Sequence, residues 1–163
     1  MKYQAGKEYT TAGKVYLEAW VDADYATDPE TRVSRTGYFI FINNKCLVAF
    51  GSRLQKGPAS TGTCEAEYRA LAAAVKELIW IYMIICSLGF HVQLPMPVHE
   101  DNQAAERLAK DYGCQKRTKH IDVRFHYVRQ LEEAGIIAVR YKRSEEQLAD
   151  LLTKNLPTVA FTK

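Results

Sequence analysis

Hydrophobic and polar residues alternate strictly near the start of the chain. Between residues 17 and 24 every odd position is apolar, while the even positions carry Glu18, Trp20, Asp22 and Asp24. A period of two is typical of a half-buried strand. Two further apolar runs, residues 37–42 and 46–51, flank Asn43-Asn44, which tolerates the left-handed geometry of a hairpin turn. The pattern predicts an antiparallel meander of three strands.

The apolar positions then change to helical spacing. One stripe of a long helix, starting near Thr63 or Cys64 and ending at Gly89, carries Leu71, Ala74, Leu78, Ile81 and Ile85. The pattern next predicts a short strand over 98–101, a short helix over 102–110, a helix that opens at 116–119, and a strand over 136–141. Ser144 and Gln147 fit a capping box that opens a last helix. This order predicts an α/β protein with a mixed sheet flanked by helices.

Length and composition limit the possibilities. The 163 residues, 47% of them hydrophobic, suit one globular domain and exclude a wholly disordered chain. We predict a leader over 1–13, a domain over 14–157 and a tail over 158–163. The longest apolar stretch, residues 78–88, is shorter than a bilayer span, so no membrane partner is expected. Four scattered cysteines predict reduced thiols in an intracellular protein, and a net charge of +3 permits nucleic-acid binding without requiring it.

Four carboxylates stand out because of where the pattern places them. Asp22 shares a strand face with Asp24, so the two like charges need a cation or another partner. Glu67 falls on the apolar stripe of the long helix, Asp101 ends a strand directly before a helix, and Asp150 lies within the last helix. An exposed strand end, a helix cap or a solvated surface is the competing interpretation of each one. Together they could form an oxygen-only cluster, which suits Mg²⁺ or Mn²⁺.

Five short segments make the chain similar to a known family. They read VDADY at 21–25, EAEYRAL at 65–71, DNQ at 101–103, RTKHID at 117–122 and EEQLADLLTK at 145–154. In this order they closely resemble the ribonuclease H domain of copia-type retrotransposon polyproteins, over about residues 16–157. The resemblance implies a ribonuclease H-like fold, with a five-stranded mixed sheet of three antiparallel and then two parallel strands flanked by helices.

The resemblance also implies an active site and a reaction. Its catalytic residues and metal ligands would be Asp22, Glu67, Asp101 and Asp150, holding two Mg²⁺ ions, with Mn²⁺ as a substitute and with Asp22 bridging both. The implied reaction is endonucleolytic hydrolysis of the RNA strand of an RNA–DNA hybrid during reverse transcription. The implied partner is an upstream reverse transcriptase domain, and the location is the cytoplasm, a virus-like particle or the nucleus.

Contacts to the substrate backbone are expected from polar and basic side chains. The candidates are Asn102, Gln103, Lys116, Arg117 and Lys119, with Arg124 and Arg129 in the same basic cluster. A solvated helix face is the competing interpretation of the basic residues, and helix opening is that of Asn102 and Gln103.

The sequence departs from the family in its details. Glu100 stands where the family usually has a small or apolar residue, and we expect its side chain to face away from Asp101. Residues 142–145 lack the histidine that many cellular ribonucleases H have in this loop. Two other functions stay open. One is a catalytically weak domain that binds or tethers the hybrid for an upstream polymerase, and the other is an exonuclease or resolvase on the same fold.

Overall fold

The computed structural model describes residues 13–110 and 123–154, with side chains from His126 onward in the helix that begins at Val123. The predicted leader apart from Gly13, the predicted tail and the basic run at 116–119 lie outside these residues. The boundaries of the predicted domain therefore stay predictions.

The first half of the sheet is the predicted antiparallel meander. It consists of β1 (Leu17–Asp24), β2 (Arg35–Ile42) and β3 (Cys46–Leu54). Strands β1 and β2 pair from Leu17 opposite Ile42 to Asp24 opposite Arg35. Asn43 and Asn44, between β2 and β3, both adopt the left-handed conformation, with φ of 52° and 59°. A tight hairpin whose twist matches its strands needs this geometry, so the predicted turn is confirmed.

The core helix is α1 (Thr63–Ser87), which packs against β1 and β2. All five residues of the predicted stripe are buried, because a helix that covers a sheet must present one continuous apolar face to it. By length and composition α1 could also cross a membrane, but this test is passed equally by the core helices of soluble proteins. Its burial against the sheet is that of a core helix.

The second half of the chain adds parallel strands to the sheet. It contains β4 (Met96–Glu100), α2 (Gln103–Lys110), α3 (Val123–Glu133) and β5 (Ile137–Tyr141). Strand β4 pairs parallel to β1, and β5 pairs parallel to β4. The strand order is β3-β2-β1-β4-β5. The predicted five-stranded mixed sheet flanked by helices is thus confirmed.

The predicted last helix is a different structure over the described residues. Ser144–Glu146 and Leu148–Leu152 form two short 3-10 turns in place of an α-helix. The capping-box prediction fails because the hydroxyl of Ser144 donates to Asp101 and the side-chain amide of Gln147 donates to the backbone carbonyl of Val21. Ser144 thus makes a tertiary contact instead of opening a helix. Gln147 makes a tertiary contact as well, while its Oε1 accepts from the backbone N–H of Ala149 and caps the second short turn. We refer to Leu148–Leu152 as the Asp150 turn.

Candidate metal centre

Four elements bring the predicted carboxylates together at one edge of the sheet. Asp22 is near the carboxyl end of β1, Asp101 directly follows β4, Glu67 lies in the second turn of α1, and Asp150 lies on the Asp150 turn. One oxygen from each of Asp22, Asp101 and Asp150 lies within 4.8 Å of the other two. Because β1 and β4 are parallel neighbours, their carboxyl ends meet at this edge.

A second group of three carboxylates overlaps the first. Oxygens of Glu67, Glu100 and Asp101 also lie within 4.8 Å of one another. Asp101 is the residue common to both groups, whereas the resemblance gave the bridging place to Asp22. The cluster in the described residues therefore has five carboxylates, one more than the four that the sequence singled out.

Asp22 is buried, with 1% of its surface exposed, and its carboxylate is held by two neighbours. The hydroxyl of Thr153 donates to Oδ2, and the ammonium of Lys154 lies 3.3 Å from Oδ1. Burial raises the pKa of Asp22 to about 6, although the Thr153 hydrogen bond and the Lys154 charge act in the opposite direction. Ionising Asp22 therefore costs more than ionising an exposed aspartate, and a bound metal ion would offset this cost.

Glu67 is buried on the face of α1 that covers the sheet, as its position on the apolar stripe predicted. Burial, and then the charges of Asp22 and Asp101, raise the pKa of Glu67 to about 9, while a hydrogen bond from the backbone N–H of Ala23 opposes the shift. Glu65 points away and accepts hydrogen bonds from Thr61 and Arg69. Glu65, and not Glu67, is therefore the carboxylate that bonds the residues just before the start of α1.

Glu100 corrects one expectation from the sequence. We expected its side chain to face away from Asp101, yet carboxylate oxygens of the two residues belong to one compact group. Strand alternation puts Glu100 on the same face as Val98, and all of β4 is buried. Asp101 follows the last residue of β4, so the alternation of the strand no longer governs its direction. Burial and then the charge of Glu67 raise the pKa of Glu100 well above its ordinary value.

Lys154 is a site residue that the sequence reasoning missed. Its ammonium lies 2.7 Å from Oδ1 of Asp150 as well as 3.3 Å from Oδ1 of Asp22, and so it joins two of the four predicted carboxylates. Burial alone would lower the pKa of Lys154, but the bond to Asp150 and the charge of Asp22 outweigh burial and raise it. The spacing of four residues from Asp150 was a usable signal.

The Asp150 turn is fixed by close contacts to the sheet. Gln147, directly before it, donates from Nε2 to the carbonyls of Val21 on β1 and His99 on β4, at 2.9 and 3.5 Å. Gly37 on β2 lies beneath the turn, where a Cβ atom would be 2.6 Å from Cγ2 of Thr153. Glycine is therefore required at this position for Asp150 and Thr153 to approach the sheet.

The predicted substrate-binding residues have varied outcomes. Oδ1 of Asn102 accepts from the backbone N–H groups of Ala104 and Ala105, so this side chain caps α2, while Gln103 is exposed at the first position of that helix. Arg129 is buried, and its Nε donates to the carbonyl of Leu108, so the expectation that it contacts phosphates is wrong. Lys116, Arg117 and Lys119 lie outside the described residues, as does the side chain of Arg124.

The donor set fits divalent metal ions. Every ligand atom in the two groups is a carboxylate oxygen, which suits Mg²⁺ or Mn²⁺ and not the sulfur and imidazole sites typical of zinc. Oε2 of Glu67 and Oε2 of Glu100 are both buried without a hydrogen-bond partner among the described residues. A buried carboxylate oxygen without a partner is unfavourable, and a bound cation would satisfy it. The residues present therefore fit the metal that the resemblance implied.

The fold and this cluster define the class of the protein, because the chain has the ribonuclease H fold. Its structure is similar to that of the ribonuclease H1 LC11 in complex with an RNA/DNA hybrid, with a TM-score of 0.57 and 16% identity, covering 90% of this chain and 99% of that one. It is also similar to the prototype foamy virus protease–reverse transcriptase, with a TM-score of 0.50 and 12% identity, over 94% of this chain and 22% of that one. Both likenesses concern the fold alone.

Sequence comparison relates the chain to the Pol polyproteins of transposons. The chain is homologous to the retrovirus-related Pol polyprotein of transposon RE2 from Arabidopsis thaliana, with 36% identity over 145 residues, and to that of transposon TNT 1-94 from Nicotiana tabacum, with 39% identity over 145 residues. These alignments cover 89% of this chain and about a tenth of each polyprotein. No protein-family model matches the chain. The resemblance to copia-type retrotransposon polyproteins is confirmed.

Proposed function

We propose that this chain is a metal-dependent ribonuclease H that cuts the RNA strand of RNA–DNA hybrids. One observation carries the proposal. Two sets of three carboxylates, which have Asp101 in common, lie at the sheet edge of a ribonuclease H fold. The similarity to a ribonuclease H1 bound to an RNA/DNA hybrid supports the choice of substrate. The homologous Pol polyproteins support a role in reverse transcription, with a polymerase domain of the same polyprotein as partner.

Two divalent ions would be held by Asp22, Glu67, Asp101 and Asp150. Bound there, such ions would lower the pKa of the attacking water and stabilise the leaving oxygen of the phosphodiester. Two of the ligands are oriented by the chain itself before substrate arrives: Thr153 donates to Asp22 and Ser144 donates to Asp101. Preorganised ligands of this kind need little rearrangement during the reaction.

Asn102 already caps α2, so Asp101 is not used as a helix cap and its carboxylate is available to the cluster. The opposing face of β1 is closed by α1, so the cluster is reached from the sheet edge. We expect the hybrid to be recognised by its groove shape and its 2′-hydroxyl groups, with Gln103 and the basic residues Lys116, Arg117 and Lys119 near its backbone.

The test is a cleavage assay with a labelled RNA strand presented as hybrid, as duplex RNA and as a single strand. We expect cutting only of the hybrid, and only with Mg²⁺ or Mn²⁺. Asp22→Asn, Glu67→Gln, Asp101→Asn and Asp150→Asn should each lower the rate by at least about 10³-fold, since each removes several kcal/mol of charge stabilisation.

The matched control is Asp24→Asn, because Asp24 lies two residues from Asp22 on the same strand but belongs to neither group of oxygens. This variant should cut hybrid at the unaltered rate. Cleavage that survives Asp101→Asn would refute the assignment. Tight hybrid binding without any cleavage in Mn²⁺ would instead favour a tethering domain, and preferential cutting of branched or duplex DNA would favour another nuclease on this fold.

A further inference from the structure

The unassigned member of the cluster is Glu100, at the last position of β4. Its side chain is fully buried. Oε1 accepts a hydrogen bond of 3.1 Å from the backbone N–H of Asn102, whereas Oε2 is buried without a hydrogen-bond partner among the described residues. A fully buried carboxylate with one oxygen bonded and the other without a partner is the arrangement of a ligand and not of a surface acid.

Glu67, which lies beside Glu100, has the same unfavourable arrangement. Oε2 of Glu67 is also buried without a partner, and both residues belong with Asp101 to one group of oxygens within 4.8 Å of one another. Two buried carboxylates this close together repel each other when both are ionised. A divalent cation between them would satisfy both oxygens at once, at ligand distances that hard cations accept.

The charge of the whole cluster leads to the same conclusion. Five carboxylates lie in the two groups, and Lys154 is the cationic side chain that the described residues pair with them. With every carboxylate ionised, the cluster keeps four uncompensated negative charges, which matches two divalent cations. Without Glu100 one charge fewer would need compensation.

We propose that Glu100 is a direct ligand, through Oε2, of the cation held by Glu67 and Asp101. This inference rests on the proposed function for the presence of metal, and adds a fifth carboxylate to the four that the resemblance assigns. Oε1 meanwhile holds the turn from β4 to α2 through Asn102. Because Glu100 would contact both this turn and the cation, the position of Asp101 should depend on whether the cation is bound.

The proposal predicts metal binding that can be measured without substrate. Mn²⁺ is titrated into the full chain, the free ion is followed by electron paramagnetic resonance, and the melting temperature is recorded with and without Mg²⁺. The unaltered protein should bind two ions. Glu100→Gln, which keeps an oxygen acceptor for Asn102 but removes the charge, should weaken one ion by at least about 10-fold and leave the other unchanged.

Three comparison variants identify which ion is affected. Glu67→Gln should weaken the binding of the same ion. The double variant, Glu67→Gln with Glu100→Gln, should leave the binding of the second ion unchanged. Asp150→Asn should weaken mainly that second ion. Glu106→Gln is the neutral control, because Glu106 lies on α2 and pairs with Lys110, away from the cluster.

Several outcomes would overturn the inference. One is that Glu100→Gln binds both ions with unchanged affinity while Glu67→Gln loses one, which would make Glu100 a positioning residue only. Another is that the unaltered protein binds no divalent ion. In EDTA, Glu100→Gln should melt no lower than the unaltered protein, since it removes a repelling charge. If it does not fold, Glu100→Asp takes its place, and full affinity in that shortened variant would equally refute a direct ligand.

The hybrid assay separates this inference from the proposed function. Two ions bound, one of them dependent on Glu100, together with no hybrid cleavage by the unaltered protein, would refute the function and keep the ligand. Hybrid cleavage together with a metal affinity that is unchanged in Glu100→Gln would refute the ligand and keep the function.

Discussion

The buried carboxyl of Glu67 should make the metal-free protein less stable as the pH rises from 5 to 7. Its pKa in the folded protein is about 9, against an ordinary value of 4.5, so in this range the folded state keeps a proton that the unfolded chain has lost. Stability falls with pH wherever the folded state binds more protons. Each pH unit then removes about 1.4 kcal/mol, which makes roughly 3 kcal/mol over the interval.

Other buried groups also contribute to the pH dependence. The raised pKa of Asp22 and that of Glu100 add to the loss of stability. His99 opposes it, because burial lowers its pKa and the unfolded chain then binds the additional proton. A comparison with Glu67→Gln, which cannot ionise, measures the share of Glu67 together with the effect of its charge on the pKa of Glu100.

The assay is urea unfolding in EDTA at pH 5 and at pH 7. Relative to the unaltered protein, Glu67→Gln should gain roughly 3 kcal/mol between the two pH values. Glu106→Gln, which removes a carboxylate outside the cluster, should gain nothing comparable. Saturating Mg²⁺ should reduce the pH dependence of the unaltered protein, because metal binds the ionised carboxylates. Equal pH dependence of the unaltered protein and Glu67→Gln would show that Glu67 is already ionised at pH 5, which would refute the reasoning.

Three further outcomes follow from the geometry. Gly37→Ala should lower the free energy of unfolding by about 1–3 kcal/mol and also weaken Mn²⁺ binding, because its Cβ would displace Thr153. Gly51→Ala, whose Cβ would be 2.6 Å from the Tyr38 ring, should destabilise the protein in urea without changing Mn²⁺ affinity, and an equal loss of affinity would contradict this account. Lys154→Met should tighten Mn²⁺ binding by removing a competing cation, and weaker binding would count against that role. EDTA should abolish hybrid cleavage and added Mg²⁺ should restore it, whereas cutting in EDTA would exclude a metal-dependent reaction.

The sequence predicted those elements whose burial has a simple period. Strand β1 and the stripe of α1 follow from alternation and from helical spacing, and Asn43-Asn44 follows from turn geometry. Four carboxylates of the cluster could be named because each falls where a solvated acid is unexpected. These are local signals, readable without the rest of the fold.

The remainder depended on contacts between distant segments. The capping pattern at Ser144 and Gln147 predicted an α-helix, but in the fold these side chains reach Asp101 and Val21, more than 40 and 120 residues away in the chain. Such long-range bonds override a local preference. The position of Glu100 beside Glu67 likewise depends on how α1 lies across β4, which no spacing along the chain encodes.

The side-chain amide of Gln147 holds β1 and β4 at a constant separation at the metal centre. Strands β1 and β4 pair at Ala19 with Val98 and at Trp20 with His99, before the positions of Asp22 and Asp101. The amide bonds a carbonyl of each strand, and thereby fixes the separation of Asp22 and Asp101 with an uncharged group. Salt screens the charge of the carboxylates and pH changes their protonation, but neither alters a neutral amide. The affinity of this centre for cations should therefore vary with solution conditions while its preference for an ion of a given radius does not.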